Sequence, residues 1–224
     1  MKQVLILLFC LTFLSSCDFF LTPEDYLHQA ERLSESGKYK EAIKLADKAI
    51  IKNNKFVEAY INRALYYLKL GNDKKSLLDL KKAITIDPKN TLALYDITMI
   101  YSNREDYPMV LYFANKTFES KDVGIGCYID TNNNAFGNSG KIDIPSHMIY
   151  FERAKANYNL SKLKEAGNDF LMCIDDNYKN AECHYWIAFI YLKAGNTKLA
   201  CENFNTAKLL GDKGAEIEIE KYCN

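Results

Sequence analysis

The chain has almost no surplus charge. Its 224 residues carry 29 basic and 29 acidic side chains. A near-neutral protein offers no field to steer nucleic acid or an anionic lipid surface, and no basic run supplies one locally. Histidine is scarce: His28, His147 and His184 stand far apart, with no metal-ligand spacing between them. A glycine-rich phosphate loop and a nucleophile elbow are both missing. Nothing in the chain supports catalysis, a cofactor or a metal centre, so none is expected. Long apolar runs are lacking as well. Residues 4–14 are apolar apart from Thr12, which is short for a bilayer crossing.

What is present begins at the N-terminus. Met1-Lys2-Gln3 is a short positive start, the apolar run follows, and then Ser15-Ser16-Cys17. Charged, apolar and small segments in that order read as an export signal. Leu14-Ser15-Ser16-Cys17 resembles the lipobox of bacterial lipoproteins. The resemblance implies cleavage before Cys17 and acylation of that residue. Several acyl chains at one residue anchor a protein firmly, because each buried methylene contributes about 0.8 kcal/mol. The expected location is therefore the bacterial cell envelope, on a membrane, after export. Asp18 resembles an inner-membrane retention signal of enteric bacteria, but other bacterial groups sort differently, and the choice of membrane stays open. Without residues 1–16 the chain keeps 28 basic and 29 acidic side chains.

Of the seven cysteines, Cys10 leaves with the signal and Cys17 is the lipidation site. Cys127, Cys173, Cys183, Cys201 and Cys223 match no zinc spacing. Most read as small buried apolar residues. Cys201 and Cys223 lie close to the C-terminus and are candidates for a pair, which export permits.

The body of the chain is periodic. The segment from Ala64 through Gly71-Asn72 returns from Ala188 through Gly195-Asn196. Five windows align, starting at Pro23, Val57, Thr91, His147 and Ala181, each predicting two helices joined by a tight turn. Ala30, Ala64, Ala154 and Ala188 recur where two antiparallel helices approach closely. Gly71-Asn72 ends a helix, since glycine suits the left-handed residue just past it. Asp87-Pro88 stops the next helix. Pro108 is tolerated one turn into its helix.

These windows resemble the tetratricopeptide repeat. The resemblance covers about residues 23–120 and 147–210. Arg63 departs from it by replacing the usual Leu, and only the second window keeps the closing Pro. The implied fold is all-α, a right-handed solenoid of about five repeats with a capping helix. The domains are then a signal peptide at 1–16, a lipidated linker at 17–22, repeats 1–3 at 23–120, an insertion at 121–146, repeats 4–5 at 147–210 and a cap at 211–224. Ile217 and Ile219 are available for packing in the cap.

Within the insertion, residues 121–142 exceed the period, hold four of the ten glycines, and allow a short hairpin around Asn132-Asn133-Asn134. Asp130, Asn132 and Asn134 open like a calcium loop. Ala135 stands where the turn needs Gly, however, and Lys141 where Glu should close the site.

In the family, the first helix of each pair lines a groove. The resemblance places Leu27, Glu31, Ile61, Leu65, Tyr95, Met99, Phe151, Lys155, Tyr185 and Phe189 there. Such an apolar lining suits a protein or peptide partner. A subset of the family grips carboxylates with polar groove residues. Leu27, Glu31, Asn62, Leu92 and Asp96 occupy those places here and only Asn62 fits. The expectation is a membrane-anchored scaffold for a protein or peptide, with no nucleic acid. The alternative is an accessory binder of small molecules or glycans that uses residues 121–142.

Overall fold

The computed structural model describes residues 20–120 and 144–223. The expected hairpin therefore lies outside the described residues, apart from Ile144, and so do Cys17 and Cys127. The chain divides into two compact units, one ending at Pro88 and the other beginning at Lys89. Both are built from antiparallel helix pairs, and no strand occurs among the described residues. The fold class is the all-α repeat array expected from the periodicity.

The first unit holds α1 (Pro23–Glu35), α2 (Tyr39–Lys52), α3 (Val57–Lys69) and α4 (Asp73–Ile86). A capping box starts α1: the Thr22 hydroxyl accepts from the Asp25 amide at 3.1 Å, and the Thr22 amide donates to the Asp25 carboxylate at 2.9 Å. The Thr22 amide first, and then the Thr22 hydroxyl, which donates to the same carboxylate at 3.0 Å, hold the Asp25 carboxyl below its ordinary pKa. The α3–α4 turn shows why Gly and Asn come together. Gly71 takes φ 71°, and the Asn72 amide donates back to the Tyr67 carbonyl at 2.8 Å. The Asn72 side chain then accepts from the Lys75 amide at 3.2 Å and so caps α4. Ala30, Ala42 and Ala46 are fully buried and form one core cluster with Tyr66. Burying a ring of that size stabilises the fold by about 2–3 kcal/mol.

The second unit holds α5 (Thr91–Asn103), α6 (Tyr107–Ser120), α7 (Ser146–Asn159), α8 (Leu163–Asp175), α9 (Asn180–Lys193), α10 (Thr197–Leu209) and α11 (Gly214–Tyr222). The insertion does not interrupt its stacking, because α6 packs directly on α7. Phe118 meets Tyr150 with ring centroids 4.8 Å apart, and the Arg153 guanidinium lies 4.5 Å from the Phe118 centroid. Gly195 and Asn196 repeat the turn chemistry of Gly71 and Asn72. In the third and fourth pairs the left-handed turn residue is Glu105 (φ 56°) or Ser161 (φ 58°) instead of glycine.

Arg63 has a structural reason. Its Nε and Nη2 donate to the two Asp79 carboxylate oxygens at 2.7 and 2.6 Å, and its Nη1 donates to Asp47 at 2.6 Å. Asp79 is buried on α4 of the same pair, and Asp47 lies on α2 of the preceding pair. Arg153 repeats the device: Nε and Nη2 bind Asp169 at 2.8 and 2.7 Å, and Nη1 reaches Asn115 on α6 at 3.1 Å. The fork geometry of guanidinium matches a carboxylate and keeps one donor for the neighbouring pair. Asn157, one residue before the apolar Tyr158, adds an amide to Asp169 at 3.3 Å.

The last helix corrects one expectation. Ala215 is buried and Ile219 packs on the terminal core, but Ile217 is 66% exposed. The α11 helix has only 9 residues and shows α10 a narrow face, so Ile217, two positions before Ile219, points away. Cys201 and Cys223 form a disulfide with their Cα atoms 5.7 Å apart, tying α10 to the end of the chain.

Candidate partner-binding surface

The first helices of the pairs are α1, α3, α5, α7 and α9, and they carry every residue placed in the groove from sequence. In the first unit Leu27 and Ile61 are buried and Leu65 is half-buried. Leu27 belongs to a core cluster with Tyr26, Ala49 and Ala59. Asn62, the single match to carboxylate-gripping relatives, is buried. Its side-chain amide donates to Glu31 at 3.1 Å, so that donor is already committed within the protein. The other Glu31 oxygen lies 3.2 Å from His28 Nδ1.

In the second unit Tyr95 and Phe151 are buried, whereas Met99, Lys155, Tyr185 and Phe189 are half-buried. Tyr95 clusters with Ala114, Ile144 and Ile149. Burial, then the nearby Glu152 charge, raises its phenol pKa. Buried Glu152 accepts from the Ser102 hydroxyl and from Lys155 Nζ, the latter at 3.1 Å. Lys155 also lies 5.3 Å from the Phe151 ring centroid, and Lys179 lies 4.0 Å from it. Both cations lie against the same ring, Phe151. Burial pushes the Asp96 carboxyl up to about 7.

The α9 helix offers the most aromatic surface. Tyr185 and Phe189 sit one helical turn apart with ring centroids 5.0 Å apart, edge to face. Phe204 on α10 supports both from beneath, at 5.8 and 5.2 Å. The pair is thus pre-set and half-open. His184 beside them binds Asn203 at 2.9 Å through Nδ1, which accounts for it as a structural residue. Among the described residues no group of three His, Cys, Asp or Glu is placed to hold a metal ion, and no helix is long and apolar enough to cross a membrane.

Sequence reasoning missed buried Glu152 on this surface. It carries no motif, and only its position on the helix, one residue after a groove aromatic, marks it. Asp96, read from sequence as a mismatch to the carboxylate-gripping pattern, is half-buried.

Comparison with known proteins gives the fold a name. Residues 57–90 match the tetratricopeptide repeat family. Rat sperm-associated antigen 1 is 36% identical over 78 residues, which are 35% of this chain and 9% of the relative. Anaphase-promoting complex subunit 3 of Schizosaccharomyces pombe is 24% identical over 200 residues, 89% of this chain and 27% of the relative. The chain therefore spans about a tenth to a quarter of the length of the curated relatives it matches. Among solved structures, YrrB, a TPR protein with an unusual peptide-binding site, superposes with a TM-score of 0.70 at 18% identity, covering 88% of this chain and 91% of that one. MamA from Desulfovibrio magneticus RS-1 superposes with a TM-score of 0.66 at 13% identity, covering 84% and 94%. The fold is that of tetratricopeptide-repeat proteins.

Proposed function

We propose that this chain is a lipid-anchored scaffold of the bacterial envelope that holds a protein or peptide partner on the first helices of its repeats. The observation that carries the reading is the half-open aromatic pair Tyr185 and Phe189, rigidly backed by Phe204. Rigid aromatics with one open edge contribute large contact area at low entropic cost, as binding hot spots do. Met99 and Lys155 extend the same class of surface on α5 and α7. The peptide-binding site of YrrB supports this use of the fold. The Cys201–Cys223 disulfide supports maturation in an oxidising compartment. The lipobox at residues 14–17 supports the anchor.

A photo-crosslinking residue at Phe189 in the native envelope should trap one specific protein. The same probe at Leu78, exposed on a second helix, should not. Equal, non-specific adducts at both positions, or none at Phe189, Met99 and Leu65, would overturn the scaffold reading. The anchor is tested separately. Cys17→Ser should abolish acyl labelling and leave unprocessed precursor, and a variant that still labels and matures removes it.

A further inference from the structure

Two thiols in the second unit have no role in the scaffold reading. Cys173 is near the end of α8 and Cys183 near the start of α9, ten residues on in sequence. Both are fully buried in one core cluster with Phe151, Phe170 and Ile187. Each donates weakly to a backbone carbonyl: Cys173 Sγ lies 3.4 Å from the His147 oxygen, and Cys183 Sγ lies 3.5 Å from the Tyr178 oxygen. The two side chains also touch. A hydrogen bond with Cys183, ahead of burial, raises the Cys173 thiol well above the ordinary range.

The repeat explains why they meet. The places that Cys173 and Cys183 hold in their helix pairs are held in the first unit by Ala49 and Ala59. Those alanines are fully buried and share one cluster. In the first unit this junction, where the second helix of one pair meets the first helix of the next, brings two small side chains into one cluster. At a single junction both small residues are cysteine. The same chain carries one disulfide, Cys201–Cys223, a bond that forms and persists under oxidising conditions.

We infer that Cys173 and Cys183 are a second cystine site, closed during folding, that staples the fourth helix pair to the fifth. The reaction is thiol–disulfide exchange. One thiolate attacks an external disulfide and releases one thiol of the oxidant. The other thiolate then attacks the mixed disulfide and releases the second. Two protons and two electrons leave the pair, and the oxidant is a small-molecule or protein disulfide. The native core sets the timing. Thiols this deeply buried do not meet an oxidant, and the thiolate is the reacting species, so the bond forms before α8 and α9 close over it. Once formed it is shielded from reductant in the same way.

The test refolds the full mature chain, denatured and reduced, in a buffer of reduced and oxidised glutathione. The product is quenched with acid, alkylated with N-ethylmaleimide in denaturant and peptide-mapped. The expected product links Cys173 to Cys183. Chain that was folded under reductant and only then given oxidised glutathione should close this bond at least tenfold more slowly. Cys173→Ala should leave Cys183 fully alkylated. Full alkylation of both cysteines after oxidative refolding overturns the inference, and so does a bond from either of them to Cys127.

Discussion

Removing the Arg63 guanidinium should be among the most damaging single changes in the first unit. Truncation to Leu at this position restores the residue that such repeats ordinarily carry, so a reading based on the repeat pattern alone expects a gain. The structure predicts the reverse. Arg63 makes three short charge-assisted bonds, two to Asp79 and one to Asp47. The side chains of Arg63, Asp79 and Asp47 are 19, 9 and 44% exposed. Burial alone would lower the Arg63 pKa, but the two carboxylates outweigh it and the net shift is upward. Arg63→Leu leaves the Asp79 charge buried without its fork. Breaking a buried pair from one side costs about 3–5 kcal/mol, and the partial exposure of Arg63 brings the expectation to about 2–4 kcal/mol. Asp47, nearly half exposed, accounts for no more than about 1 kcal/mol of that.

The double variant Arg63→Leu, Asp79→Leu should recover most of the loss, since a buried ion pair exchanged for apolar residues of similar volume is often neutral. The third pair already uses that solution, with Ile97 and Phe113 in the matching places and both buried. Urea unfolding followed by helicity gives the global effect. Repeat arrays need not unfold in one step, so amide exchange in α2, α3 and α4 gives the local one. A loss under about 0.5 kcal/mol for Arg63→Leu, or a double variant as unstable as the two single losses added, would refute the reasoning. The cycle also separates pair energy from packing.

Three further outcomes follow from single features. Glu105→Gly and Ser161→Gly should each raise stability by about 0.5–1 kcal/mol, read as a higher urea midpoint, because both residues hold a left-handed backbone that glycine adopts freely. Asp96 is protonated up to about pH 7 in the folded chain but ionises near 3.8 when unfolded, so the unfolded state sheds its proton first and this residue's stability contribution falls as pH rises from about 4 to about 7. Asp96→Asn should therefore leave the melting temperature little changed at pH 4 and raise it at pH 8, by about 1–3 kcal/mol of stability; an equal shift at both values would show that the carboxyl is not the cause. Asn72→Ala and Asn196→Ala should each cost about 1 kcal/mol in the same urea assay, since each removes the acceptor that caps the second helix of its pair.

The helix pairs were legible because local chemistry and packing demand agree at the same positions. Gly71 supplies the left-handed residue, Asn72 the next cap, and Ala64 the close approach, all within nine residues. Where the fourth pair departs from the pattern, reading was harder. Asn157 carries the turn carbonyl that accepts from the Lys162 amide at 2.8 Å, and it also serves Asp169. An asparagine inside an apolar helix face announces neither task. The exposure of the groove candidates was only partly legible. Their helix and face follow from the period, but burial depends on what neighbouring helices bring. Tyr95 and Phe151 went into the core while Tyr185 and Phe189 stayed half-open.

Periodicity and turn chemistry were enough to establish an all-α array of helix pairs, where each pair turns, and which small residues let helices touch. Those properties are local or strictly periodic, so they can be read along one dimension. What bridges one repeat to the next emerged only in three dimensions: Arg63 reaching Asp47 as well as Asp79, Arg153 reaching Asn115 across the insertion, Cys173 and Cys183 sharing one core cluster, Asn62 spent on Glu31. These contacts join residues on different helices, and whether a polar side chain is free for a partner or consumed within the fold depends on the donor or acceptor placed opposite it.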